Sequence, residues 1–211
     1  MKRKWIFGLA ATVLLTFSGA ANGALINIGS ATYDGSVYNL FYEDDQNLVW
    51  LDYTHSQALW GPQNTWASTL GSNLTVELKE GYSSTINWNT GWRLPIAGDA
   101  PVNWSYDTSS EMGYLNYVSL GNPAGGLPPY DLSPFVELGD YDYWLGTAAP
   151  ASQAWIYGFN PGLLYKDNQS AFYWGLAVHP GTVSAVPIPG AVWLLGSGLI
   201  CLVGLTRKFK K

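Results

Sequence analysis

Two apolar segments bracket this chain, and each keeps its basic residues on one definite side. Met1-Lys2-Arg3-Lys4 precedes an apolar run from Trp5 to Phe17, which gives way to the small residues Ser18, Gly19, Ala20, Ala21, Asn22, Gly23 and Ala24. A basic start, a short apolar core and a small-residue exit are the three parts of a secretory signal peptide. The cut is expected between Gly23 and Ala24, which removes residues 1–23 from the folded domain. At the other end Ile188 to Leu205 is apolar or small throughout, and Arg207, Lys208, Lys210 and Lys211 follow it. As a helix that run would reach roughly 27 Å at ~1.5 Å per residue, close to the ~30 Å hydrocarbon core of a bilayer. Residues 188–205 are therefore expected to form a single transmembrane helix, joined to the domain by the linker 182–187. Residues 206–211 would be its basic cytoplasmic tail. Whatever folds between these ends must do so outside the cytoplasm.

The charge of the chain divides along the same line. All fifteen acidic residues lie between Ala24 and Val186, with only Lys79, Arg93 and Lys166 against them, a formal charge of −12. The whole-chain value of −5 hides this, because the cations sit at the targeting ends. So acidic a domain lacks the positive footprint that nucleic acids and sulfated glycans require. Cys201, the one cysteine, lies in the C-terminal apolar run, so no disulfide framework holds the domain. Its stability must come from packing, and nine tryptophans and all fourteen tyrosines fall inside it to supply large buried areas.

Along the domain, Val37–Tyr42 and Leu48–Leu51 read as the two strands of a hairpin, broken by Glu43-Asp44-Asp45-Gln46-Asn47. Trp66, Leu70, Leu74 and Leu78 recur every four residues and predict a helix, with Asn64 or Thr65 as its cap. A second helix is predicted over Tyr114, Leu115, Tyr117 and Val118. Thr108 and Glu111 stand at capping-box spacing before it, and Gly121 and Pro123 end it. Gly125–Pro134 reads as loop. Tyr141–Leu145, Ala154–Phe159 and Phe172–Val178 read as three late strands.

Two resemblances follow from particular residues. The tail reads Val186-Pro187-Ile188-Pro189-Gly190-Ala191-Val192-Trp193-Leu194-Leu195-Gly196-Ser197-Gly198-Leu199 before its basic end at Arg207 and Lys208. It resembles the PEP-CTERM sorting signal, in which a Pro-x-Pro element heads an apolar stretch of the W-L-x-G-S-G-L kind. Ile188 stands where that signal usually has glutamate. The resemblance implies recognition and cleavage by the membrane protease exosortase. It also implies release to the surface or extracellular matrix of a Gram-negative, polysaccharide-producing bacterium.

Residues 24–181, with the core of the match over 47–181, resemble the Lcl C-terminal-like domain of bacterial surface proteins. The segments that carry this are Leu48-Val49-Trp50-Leu51-Asp52, Thr65-Trp66-Ala67, Gly91-Trp92-Arg93-Leu94-Pro95, Ser110-Glu111-Met112-Gly113-Tyr114-Leu115, Tyr143-Trp144-Leu145-Gly146-Thr147, Ala154-Trp155 and Trp174–Gly181. His179 stands where that family usually has arginine, and Gly175 where alanine is common. The resemblance implies an α+β, C-type-lectin-like fold and a role in adhesion or glycan binding. Trp50, Asp52, Trp92, Arg93, Leu94, Pro95, Glu111, Trp144 and Trp155 are then signature residues with structural roles.

Arg93, one of three domain cations, is expected to make a bidentate pair with an acid. His55-Ser56 lacks the surroundings of a nucleophile elbow and is not read as catalytic. Asp44, Asp45, Asp140 and Asp142 are the calcium candidates, although no EF-hand spacing occurs and solvated turn acids are the plainer reading. No other cofactor is expected. Trp88, Trp104 and Tyr130 lie in apparent loops and are the candidate glycan contacts. The expectation is therefore an exported, exosortase-processed surface or matrix protein, not an enzyme, that binds neutral glycan or exopolysaccharide. The alternatives are a carboxylate-dependent glycoside hydrolase and a purely structural matrix protein.

Overall fold

The computed structural model describes residues 24–126 and 128–186. The chain opens with a hairpin of β1 (Leu25–Tyr33) and β2 (Ser36–Glu43). Asp34 and Gly35 turn it, both at positive φ, the pairing that suits the twist of a two-residue hairpin loop. The acidic turn after β2 leads into β3 (Leu48–Ala58), with Asn47 at φ 52° closing it. Helix α1 (Trp60–Thr69) follows and tightens into a 3₁₀ turn, Leu70–Asn73, before β4 (Thr75–Leu78) and β5 (Tyr82–Ser84). Helix α2 (Glu111–Tyr114) widens into a π-helical turn, Leu115–Ser119. The remaining strands are β6 (Asp142–Ala149), β7 (Gln153–Gly158), β8 (Leu163–Asn168), β9 (Tyr173–Pro180) and β10 (Val183–Ala185).

Eight of these strands form one sheet in the order β4-β1-β2-β3-β9-β6-β7-β8, antiparallel except for the parallel contact of β6 with β9 at Tyr143 and Trp174. β5 and β10 pair separately. Both faces of the sheet are covered, so its central strands bury successive residues rather than alternate ones. Phe41, Trp50, Tyr143, Tyr157, Leu176 and Val178 pack on one face, in a cluster that includes Met112 and Leu115 of the α2 segment. The intervening residues Leu40, Val49, Leu51 and Ala177 turn to the other face, with Leu70 and Trp92. Trp144 and Ile156 continue that second face against Ala67 of α1.

The expected α+β, C-type-lectin-like class is corrected by this arrangement. Strands make up 42% of the structure and helices 14%, in one large mixed sheet. The physical reason lies in the pairing: β9 inserts between β3 and β6, and local periodicity carries no trace of that contact. The transmembrane helix expected over 188–205 was part of the same class. Among the described residues no helix is long and apolar enough to cross a membrane, and 188–205 lies outside them. So do the signal peptide 1–23, the tail 206–211, and the residues Gly23, Pro187, Pro189, Trp193, Gly196, Ser197, Gly198, Arg207 and Lys208.

At the element level the β2–β3 hairpin and the three late strands are observed, and no helix or strand is formed among the described residues of Gly125–Pro134. The first helix is displaced. It begins at Trp60, so Asn64 and Thr65 lie inside it, and Leu78 belongs to β4. Gly71, in the 3₁₀ turn that follows, lets the Trp88 backbone approach closely, because a Cβ there would lie 2.5 Å from its carbonyl oxygen. The second helix is capped by Ser110, whose Oγ accepts from the Gly113 amide at 3.1 Å, and Thr108 takes no part in that cap.

Candidate functional site

Signature residues that drew attention in the sequence are mostly structural. Trp50 and Trp144 are fully buried; their indole N–H groups donate to Glu43 at 3.2 Å and to the Ala58 carbonyl at 3.0 Å. Asp52, buried in β3, accepts from the amides of Val136 and Glu137 and ties that loop to the sheet. Trp92 and Leu94 lie in the core, and the Pro95 carbonyl accepts from the Gly146 amide at 2.8 Å. Trp155 is buried, with Lys166 Nζ 5.9 Å above its ring. Arg93 bridges to β9 through backbone bonds with Val178, and its guanidinium donates to both Glu111 oxygens at 2.6 and 2.7 Å. This is the bidentate pair expected for Arg93, and it joins the sheet to α2.

The two histidines are equally engaged. His55 Nδ1 lies 2.8 Å from Gln63 Oε1 and its ring stacks on Trp66 at 4.3 Å. Gln63 Nε2 already donates to the Ser56 and Tyr173 carbonyls, so its oxygen must accept from His55. His55 is thus oriented by an amide, and Ser56 contributes a carbonyl rather than a nucleophile. His179 is buried between Trp88 and Trp92, with its ring nitrogens facing the Pro180 and Thr90 carbonyls at 2.7 and 2.6 Å.

The four calcium candidates separate into two places. Asp44 accepts from the Ala24 amide and Asp45 from the Tyr114 hydroxyl, each at 3.0 Å, at the β2–β3 turn. Among the described residues no three His, Cys, Asp or Glu side chains come together as a metal site. Asp140 and Asp142 instead line a cleft of about 260 Å³ where β6 and β9 begin, together with Gln57, Tyr141, Asn160, Phe172, Tyr173 and Trp174.

Aromatic faces and hydrogen-bonding groups meet in this cleft. Tyr141 stacks on Trp174 with ring centroids 4.6 Å apart and planes 17° from parallel. Tyr141 and Phe172 are exposed large apolar residues. Asn160 donates to Asp140 at 3.2 Å, which holds both at the rim. Asp142 is set deeper. Burial raises its carboxyl above the ordinary carboxylate range, the Tyr165 hydroxyl facing it pulls the other way, and Asp140 adds a raising charge. The room for Asp142 comes from Gly158, its partner on β7, where a Cβ would lie 2.4 Å from Oδ1. Among the described residues no lysine or arginine lines the cleft.

The residues expected to touch glycan lie elsewhere. Trp88 is half-buried beside Trp92 and His179. Tyr130 donates its hydroxyl to the Gly126 carbonyl at 3.1 Å. Trp104 is 65% exposed. Sequence reasoning missed Tyr141, Phe172 and Trp174, because each stands at the start of a segment that reads as strand, where aromatics default to core packing. The available signal was the run of four ring-bearing or acidic residues at Asp140–Tyr143, followed by the Phe172–Trp174 triplet. No family model, curated protein or solved structure matches the chain.

Proposed function

We propose that the chain is an exported, non-catalytic binding protein of the bacterial surface or extracellular matrix, and that its domain takes neutral glycan in the β6–β9 cleft. Export and exosortase sorting are supported by the basic-led apolar N-terminus and by the Pro-x-Pro-headed, basic-ended tail. The glycan reading is carried by one observation: the stacked Tyr141–Trp174 pair stands beside Asp140, Asn160 and Gln57 in a single open cleft. A sugar ring offers an apolar C–H face and a rim of hydroxyls, which such a surface matches. The acidic lining and the −12 domain charge select against sulfated or phosphorylated chains.

Titration calorimetry of the full chain in mild detergent against neutral and sulfated polysaccharides tests this. Binding to a neutral polymer, at least tenfold weaker in Trp174→Ala and unchanged by a calcium chelator, is the expected result. Preference for sulfated chains, or equal binding by Trp174→Ala, rejects it. Silence on every polymer leaves the structural-matrix reading in its place.

A second reading rests on Asp142, whose carboxyl is raised beside that of Asp140 in the same cleft. Two carboxyl groups facing one cleft are the equipment of glycoside hydrolysis. It predicts reducing ends released from a neutral polysaccharide by the wild type and not by Asp142→Asn. Bound polymer recovered at its original length excludes it.

A further inference from the structure

Trp104 combines three properties that a covering residue would not have together. Its indole is 65% exposed. Its backbone stands at φ 59°, in the left-handed region that a bulky side chain rarely adopts. The ring lies flat on Tyr165, with centroids 4.9 Å apart and planes 6° from parallel. The turn that holds it is fixed to the outermost strand of the sheet. Ser105 and Leu164 exchange backbone hydrogen bonds at 3.3 and 2.9 Å, and Ser105 Oγ donates to the Val102 carbonyl at 2.6 Å. A residue placed only to bury Tyr165 would gain by turning inward. Trp104 instead stays 65% exposed, and strained backbone held by a rigid surround is a mark of functional placement.

Tyr165 connects this platform to the cleft. One of its faces is covered by Trp104, and with Tyr173, which lines the cleft, it packs against the Trp144–Ile156 cluster. Val102 and Tyr106, neighbours of Trp104 in the chain, are also exposed, by 61% and 49%. Tyr165 under the Trp104 ring and Tyr173 in the cleft therefore rest on one buried cluster.

We infer that Trp104 is a second sugar-stacking subsite, joined to the β6–β9 cleft through Tyr165 and Tyr173, and that the ligand is an extended neutral chain rather than a mono- or disaccharide. This inference rests on the glycan reading of the cleft and adds the ligand's length to it. Each stacked ring adds a modest increment, so occupancy of both surfaces should appear as affinity that grows with chain length.

The test is titration calorimetry of the full chain with ladders of neutral oligosaccharides from cellulose, laminarin and mannan. For one ladder, wild-type affinity is expected to rise about tenfold between the shortest and the longest members. Trp104→Ala should remove that rise and leave the affinity for the shortest members unchanged. Trp104→Phe, which keeps a ring, should restore part of it. Near-ultraviolet circular dichroism establishes that both variants fold. Length-independent binding by the wild type, or a full length-dependent rise in Trp104→Ala, overturns the second subsite while leaving the cleft reading intact. Absence of wild-type binding on every ladder overturns the cleft reading, and the subsite falls with it.

Discussion

Glu43 ends β2 with its side chain wholly buried beneath the α2 segment, where it accepts from Trp50 Nε1 and from the Ser119 hydroxyl. Burial pushes its carboxyl up to about 7; the two donors pull it partly back, and the negative charges of Glu111 and Asp45 raise it again. A carboxyl raised on folding favours the folded state in its protonated form. Its contribution is fully present below the unfolded value near 4.5 and is lost as pH rises through about 7. The shift corresponds to about 3 kcal/mol. Glu43→Gln keeps an acceptor for Trp50 and removes the ionisation. Urea midpoints measured from pH 4 to pH 8 should therefore fall with pH in the wild type and fall distinctly less in Glu43→Gln. The variant should be the more stable protein at pH 8. Parallel slopes for the two proteins would show that Glu43 is not the titrating group. In the sequence this residue reads as the first of three turn acids, because nothing local distinguishes the last position of a strand from the first of a turn.

At the scale of elements, Gly175 on β9 determines how closely α1 can lie on the sheet. Its β3 partner is His55, and a Cβ at Gly175 would come 2.4 Å from Gln63 Oε1 and 3.1 Å from the Trp66 ring. Gln63 cannot move aside cheaply: it is fully buried and hydrogen-bonded to His55, Ser56 and Tyr173. Gly175→Ala should cost about 2–3 kcal/mol, combining overpacking with broken buried hydrogen bonds. Adding Gln63→Ala to Gly175→Ala should cost less than the sum of the two single changes, since one clash and one set of bonds are shared. Additive denaturation energies would refute the link. The elements that were legible share a property: they are bounded by side chains with a local preference. The acidic turn bounds β2 and β3, and Gly121 at φ 71° follows the second helix. The first helix was misplaced because its i+4 leucines run through a 3₁₀ turn into β4, while its true start carries only Pro62 in the first turn as a signal. The candidate cleft is half legible: Asp140 and Asp142 stand out as acids, but Tyr141 between them reads as strand, and Phe172 and Trp174 come from about thirty residues away in the chain.

For the whole molecule, charge sets the balance that packing must overcome. The domain carries −12, and Arg93–Glu111 is the one ion pair among the described residues, so most carboxylates have no cation nearby. Two like charges ~10 Å apart in water repel by about 0.4 kcal/mol, and a dozen unmatched charges on one small domain sum many such terms. Salt at about 1 M shortens the screening length to ~3 Å, against ~30 Å at 0.01 M. The thermal midpoint of the protein at pH 8 should consequently rise as sodium chloride is increased over that range. Arg93→Ala should behave differently from a surface charge change. It removes the cation that compensates the buried Glu111 carboxylate and also unties the sheet from α2. Removing one partner of a fully buried pair costs about 3–5 kcal/mol, and the partial exposure of Arg93 lowers the expected loss to about 2 kcal/mol. Salt should recover little of that loss, because Glu111 is shielded from solvent ions. A midpoint that stays flat or falls with salt would mean that the acids are spaced beyond mutual reach. Full recovery of Arg93→Ala by salt would place Glu111 in contact with solvent rather than in the core.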